Sequence, residues 1–322
     1  MHALVTGAGG YTGGRLARRL LEEGHQVRAL VRRPHQAPAL RDAGARVVLG
    51  DLAHPATLAG ITAGIDVVYH LAGALAGGSV GIRRALVEGS RNLLAQCHAI
   101  RGEPPAVIFT SNAVVYGNGR RAVLDEESPC RPAFPLGSIT LEAEEVLRAA
   151  HCGPQTIAAT ILRCGAIYGP GRLSSELIRQ ERFRLIGSGR NWSSRIHVDD
   201  LVTALIALGA SPRGGAIYCA ADREPCAVND YYEYLADALG APFPTHRSAW
   251  RVRQQGRARA FLTLGRATDL DANVIGLFTA DLRLDGSRLW RDLGLTPRWP
   301  SYRAGIPASL AMEQGSEATP HP

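Results

Sequence analysis

Through the first half of the chain, short runs of apolar residues alternate with stretches in which apolar residues recur at helical spacing. The runs His2–Thr6, Val27–Val31, Arg46–Leu49, Asp66–His70, Ala106–Thr110 and Thr156–Leu162 read as strands. Between them, Gly13–Glu23 carries Leu16, Leu20 and Leu21 on its inner side, and Gly24 ends it. Ile82–Ile100 is also helical in period. Pro135 suits a helix's first turn, and from there Leu136, Ile139, Ala143, Val146, Leu147 and Ala150 recur at helical spacing to His151. Near-continuous apolar strands alternating with helices predict an α/β fold, a doubly wound parallel sheet. After Tyr168 the order gives way to Gly- and Arg-rich loops, short helices and a late strand near 216–220. We therefore expect a sheet domain over 1–165, joined by that returning strand. A small C-terminal lobe over 166–312 is expected to close over the carboxyl ends of the strands, where such sheets bind ligands. The polar tail 313–322 is expected to fray.

Composition narrows the partners. The 322 residues are 46% hydrophobic and 20% charged, ordinary values for a globular protein with a sizeable core. All 36 basic residues are arginine, the chain has no lysine, and the net charge is +7. These arginines read as scattered, with no nucleic-acid-binding signature beside them. A basic surface around an anionic cofactor is expected, with no nucleic-acid partner. The six cysteines form no CxxC pair or zinc spacing, so they read as reduced thiols in a cytoplasmic protein, with no metal. The first strand starts almost at Met1, leaving no room for a signal peptide. The best apolar run, Val198–Leu208, carries Asp199 and Asp200, so no membrane partner is expected.

Gly7, Gly10 and Gly13 sit between the first strand and the first helix, with spacing GxxGxxG. Glycines there permit a tight turn and let backbone approach a pyrophosphate, which the helix's amino end then faces. A dinucleotide site built from Thr6, Gly7, Gly9, Gly10, Tyr11, Thr12 and Gly13 is the expectation. The second strand ends in Arg32 and Arg33, where an NAD site normally carries an acid on the ribose 2′-hydroxyl. A guanidinium grips a 2′-phosphate, so NADP is expected ahead of NAD. Asp51, beyond the third strand, is placed to accept from the adenine amino group or to act as a turn aspartate.

The order of motifs resembles the extended short-chain dehydrogenase/reductase family, also described as NAD-dependent epimerase/dehydratases, over about residues 2–310. The resemblance is carried by Thr6–Gly13, Gly50-Asp51-Leu52, His70-Leu71-Ala72-Gly73 and Gly89–Leu94, then by Thr110–Gly117, Leu162–Gly171 and Ile196–Leu201. It adds Leu52, Leu71, Ala72 and Gly73 to the cofactor residues. Val27–Arg33 is most similar to the dihydroflavonol-reductase-like branch, which uses NADPH. The resemblance implies a Rossmann domain, a small organic carbonyl or hydroxyl substrate, and a homodimer pairing Ile82–Ile100 and Leu136–His151 with their copies.

It also implies a Ser/Thr, an Asn and a Tyr-x-x-x-Lys pair, the tyrosine moving a proton and the lysine lowering its pKa. At the matching positions stand Asn112, Leu86, Leu136 and Thr140. No register supplies a lysine. The expectation is a non-standard enzyme, either redox with a relocated proton donor or redox-neutral (isomerase, lyase or cyclase). The alternative is a non-catalytic NAD(P)-binding regulator or scaffold. Thr140 retains a hydroxyl for the nicotinamide ribose.

Asn112, Ser111 and Tyr116 are the candidate catalytic residues: an amide or hydroxyl to orient a carbonyl, and a titratable phenol. Arg120 follows Tyr116 by four residues, but the intervening glycines argue against one helical face. Ser138 points to another side of its helix. Packing is the expected role of Arg163 and Tyr168, and Trp192 suits either a pocket or the surface. His197 beside Asp199 and Asp200 suits a helix start, where either acid could cap. Glu142, Glu144 and Glu145 read as a solvated helix face.

Overall fold

The computed structural model describes residues 1–73, 78–153, 155–262 and 268–317. The central sheet has seven strands: β1 (His2–Thr6), β2 (Gln26–Val31), β3 (Arg46–Leu49), β4 (Val67–His70), β5 (Ala106–Asn112), β6 (Ala159–Cys164) and β7 (Ile217–Ala220). Their order is β7-β6-β5-β4-β1-β2-β3. It is a parallel sheet; His2 of β1 stands opposite Gln26 of β2, and Ala3 opposite Val67 of β4. The winding direction reverses between β1 and β4, the topological switch point at which α/β sheets bind ligands. All four residues of β4 and all six of β6 are buried, as strands covered on both faces must be.

The flanking helices relevant here are α1 (Tyr11–Glu22), α2 (Gly89–His98), α3 (Pro135–Cys152) and α4 (Val198–Ala210). Leu16, Ala17 and Leu20 of α1 are fully buried against the sheet. Ahead of α2, the expected single helix is built from a short helix Gly78–Arg83 and a π-turn Arg84–Glu88. The sixth strand starts at Ala159, three residues later than its apolar run.

The chain folds into two compact units. The first comprises Met1–Asn112, Leu136–Arg163 and Val202–Tyr218, and the second Ala113–Pro135, Cys164–Leu201 and Cys219–Pro322. They interleave along the sequence instead of dividing at 165, because 113–135 leaves the sheet unit and 202–218 returns to it. The second unit contains two-stranded pairings, including Ala166–Tyr168 with Arg195–His197 and Arg184–Ile186 with Thr245–Arg247. Its core gathers Tyr168, Tyr231 and Tyr302 with Leu173, Ile178, Leu235 and Ile306. Tyr168 and Tyr231 meet edge to face, 5.9 Å between centroids, the arrangement ring quadrupoles favour.

The expected fraying at 313 is corrected. The last helix runs Tyr302–Glu317, and the Glu313 carboxylate accepts from Gly171 N at 2.6 Å and Ser175 Oγ at 3.0 Å. Residues 318–322 lie outside the described residues. Among the described residues no helix is long and apolar enough to cross a membrane, and no acidic, Cys or His cluster suits a metal.

Candidate active site

At the carboxyl edge of the sheet, the turns after β1, β2, β3 and β4 line a cavity of about 320 Å³. Gly7 leaves β1 with φ +69°, a conformation that favours glycine, and a Cβ there would lie 2.9 Å from the Leu71 carbonyl. A Cβ on Gly13 would stand 2.3 Å from Gly7 O, so the helix sits directly on the turn. Gly10 N–H closes the turn onto Gly7 O at 2.9 Å. No side chain caps α1, and its first turn holds no acidic residue. A helix start of this kind presents N–H donors and a positive dipole end to an anion. The residues present therefore fit a dinucleotide, whose diphosphate would rest on the N–H groups at the start of α1, while the glycines let the turn pack tightly beneath it.

The cavity brings together most of the expected nucleotide residues: Gly7, Gly9 and Gly10, then Arg32 and Arg33, Asp51 and Leu52, and Leu71, Ala72 and Gly73. Thr6, Tyr11, Thr12, Gly13 and Thr140 are not on its wall. Thr6 is fully buried behind it, its hydroxyl 2.9 Å from His70 Nδ1 and accepting from Ala72 N at 3.3 Å. His70 Nε2 is 3.0 Å from Ser90 Oγ, and burial pushes its pKa down to about 4, so the imidazole is neutral. Thr6, His70 and Ser90 thereby hold the β1 and β4 turns together. Asp51 binds Ala53 N at 2.9 Å through Oδ1, the turn role weighed for it.

Gln36 was not legible as a site residue. It lies in the turn Pro34–Gln36, donates to Gly9 O at 3.2 Å and accepts from Arg33 N at 3.3 Å. It thus ties the glycine turn to the arginine end of the cavity.

The other candidate region lies where β5 ends beside α3. Asn112 is the last residue of β5 and half-buried. The hydroxyl of its neighbour Ser111 donates to Glu144 Oε1. Arg163, on β6, grips the same carboxylate, with Nε 3.1 Å from both oxygens and a terminal nitrogen 2.7 Å from Oε2. Glu144 is fully buried and Arg163 is 3% exposed. This corrects two expectations: Glu144 is not on a solvated face, and Arg163 is an ion-pair partner as well as a packed side chain. Glu142 ion-pairs with Arg83, whereas Glu145 is exposed. Leu136 and Thr140 are both buried on α3, and the Thr140 hydroxyl donates to Leu136 O at 2.7 Å. Ser138 is exposed. Leu86 lies in the π-turn and is 7% exposed.

Several candidates fall in the second unit and are held by it. Tyr116 is 2% exposed; its hydroxyl donates to Asp125 O at 2.7 Å and lies 3.2 Å from Cys219 Sγ, which fastens the 116–125 loop. Arg120 has φ +48°, outside any helix. His197 is fully buried, with Nε2 3.0 Å from Ser309 Oγ and its ring edge-on to Tyr168. Asp200 accepts from Arg298 N and Trp299 N, both at 2.8 Å, and so clamps that loop instead of capping α4. The Trp192 ring lies 5.0 Å beneath the Arg283 guanidinium.

Residues 3–220 match the model of the NAD dependent epimerase/dehydratase family. The chain belongs to this family. It is 28% identical over 339 residues, all of this chain and 99% of the relative, to a 4-hydroxy-2-methyl-3-oxo-4-farnesyl-3,4-dihydroquinoline-1-oxide ketoreductase of Stigmatella aurantiaca. It is 34% identical to a 2-alkyl-3-oxoalkanoate reductase of Stenotrophomonas maltophilia over 265 residues, 75% of this chain and 77% of the relative. Among solved structures it is similar to MoeE5 in complex with UDP-glucuronic acid and NAD, with 25% identity and TM-score 0.76 over 98% of this chain and all of that one. The family is NAD(P)-dependent, and its members are reductases, dehydratases and epimerases.

Proposed function

We propose that the chain is an NADP(H)-binding oxidoreductase that reduces a ketone on a hydrophobic small molecule, without a tyrosine–lysine relay. The observation that carries the reading is the cavity that joins the glycine turn to Arg32 and Arg33. The two reductase relatives support the substrate class. Bound NADPH would supply the hydride. Gly7, Gly10 and the start of α1 would hold its diphosphate, and Arg32 its 2′-phosphate. Thr140 would meet the nicotinamide ribose. Leu136 carries no transferable proton, so the Asn112 amide would polarise the ketone oxygen and water would deliver the proton. The segment Gly78–His98 and α3 would pair with a second copy, covering Val80, which is 81% exposed.

The test follows loss of reduced-nicotinamide absorbance over a panel of 2-alkyl-3-oxo acids and cyclic ketones. Turnover with NADPH, reduced at least tenfold in Asn112→Ala at unchanged NADPH affinity, is expected. Binding of NADPH with no oxidation on any ketone would favour the redox-neutral or regulatory alternative. That alternative draws on the same Leu136 and Thr140.

A further inference from the structure

We infer that Phe243–Arg253, on the second unit, is a docking surface for an anionic lipid bilayer. Between Asp237 and Asp269 the chain has no acidic residue, yet Arg247, Arg251, Arg253, Arg257, Arg259 and Arg266 fall there. With a net charge of +7 for the whole chain, this stretch holds most of the positive excess. The arginines are scattered along the chain as a whole, but in this stretch no acidic residue offsets them.

The structure sets exposed aromatic rings among these charges. Trp250 is 65% exposed and Phe243 40%, and Arg247, Arg251 and Arg253 are exposed with them. The surface is held by backbone. Thr245–Arg247 pairs in parallel with Arg184–Ile186, and Gly187 N donates to Arg247 O at 2.9 Å. From Ala249 the chain continues as a helix. Exposed indole and guanidinium groups on one short stretch of chain match the boundary between acyl chains and headgroups, the indole entering and the cations pairing with anionic lipid. No membrane-spanning helix is needed for this.

A bilayer is favoured over nucleic acid by the substrate class. The reductase relatives are named for substrates with a farnesyl or an alkyl chain. In this respect the inference rests on the proposed function. A ketone of that kind partitions into membrane, and an enzyme resting on the surface meets it there. Vesicle binding is read without turnover, so failure of either claim shows separately.

The full chain is sedimented with vesicles of phosphatidylcholine plus phosphatidylglycerol, and with phosphatidylcholine alone. Binding to the anionic vesicles only, weakened by salt, is expected. Arg247→Ala with Arg251→Ala should lower the partition coefficient about thirtyfold, and Trp250→Ala should lower it while Trp250→Phe retains part of it. Circular dichroism and NADPH affinity, which is read at the first unit, should stay as in the parent protein. Equal binding to both vesicles, no binding, or variants that bind like the parent would overturn the proposal. So would a duplex DNA that binds more tightly than the vesicles and is lost in the same variants.

Discussion

The glycine turn after β1 and Leu136–Thr140 of α3 belong to one unit of the molecule, and the pattern that the resemblance implies is present at the first and absent at the second. At the turn, Gly7 bends where φ is positive and Gly13 leaves room for Gly7 O. At α3 the scaffold is intact, with Glu144 locked between Ser111 and Arg163. On our proposal, the two residues that would carry the chemistry, Leu136 and Thr140, do not. On that proposal, the fold would keep its cofactor cradle and the frame behind its reacting groups while the groups themselves differ. The frame is a matter of stability, whereas the reacting groups answer only to the reaction.

The largest effect that would sharpen this contrast is a gain. Leu136→Tyr combined with Thr140→Lys should raise ketone reduction by about two to four orders of magnitude, the usual contribution of a positioned acid. An unchanged rate in a folded double variant would show that α3 does not border the chemistry. Next in size is the buried ion pair. Arg163→Met leaves the Glu144 carboxylate uncompensated and should cost about 3–5 kcal/mol in urea unfolding. A loss near zero would break the claim that this frame is structural.

A slightly smaller effect concerns pH. His70 is buried neutral with its pKa at about 4, below the usual 6.5. The unfolded chain therefore takes up the proton first as pH falls. The stability His70 contributes is complete above about pH 6.5 and is lost down to about pH 4, on the order of 3 kcal/mol. Comparing unfolding of the parent and His70→Asn across that window should show the difference in slope. Smallest is Arg32→Ala, which should weaken NADPH by about tenfold or more and leave NADH nearly unchanged. Equal losses would remove Arg32 from the 2′-phosphate.

The six early strands and their order along the chain were legible because strands write themselves as short apolar runs. They do so most fully at β4 and β6, which are buried throughout, and least at the edge strand β3, whose residues are exposed or half-buried. Pairing order, interleaving of the two units and the β6 boundary were not, since each depends on which distant segment supplies the partner. The cofactor turn was legible for a local reason: strand, glycine spacing and helix are contiguous. Gln36 was not, because its role exists only once the turn Pro34–Gln36 folds back over Gly9. Glu144 is instructive. It stands four residues after Thr140 and eight after Leu136, on the buried side of α3, and that spacing was available in the sequence. Its charge drew attention to solvent, while its partner Arg163 lies on a strand 19 residues away.

The claim on which the rest depends is that the first unit holds an NADP dinucleotide at the Gly7–Gly13 turn. Calorimetric titration of the purified chain with NADPH and with NADH tests it directly. One-to-one binding is predicted, tighter for NADPH and abolished in Gly13→Val. Heat from neither nucleotide, or binding that survives Gly13→Val, would contradict it.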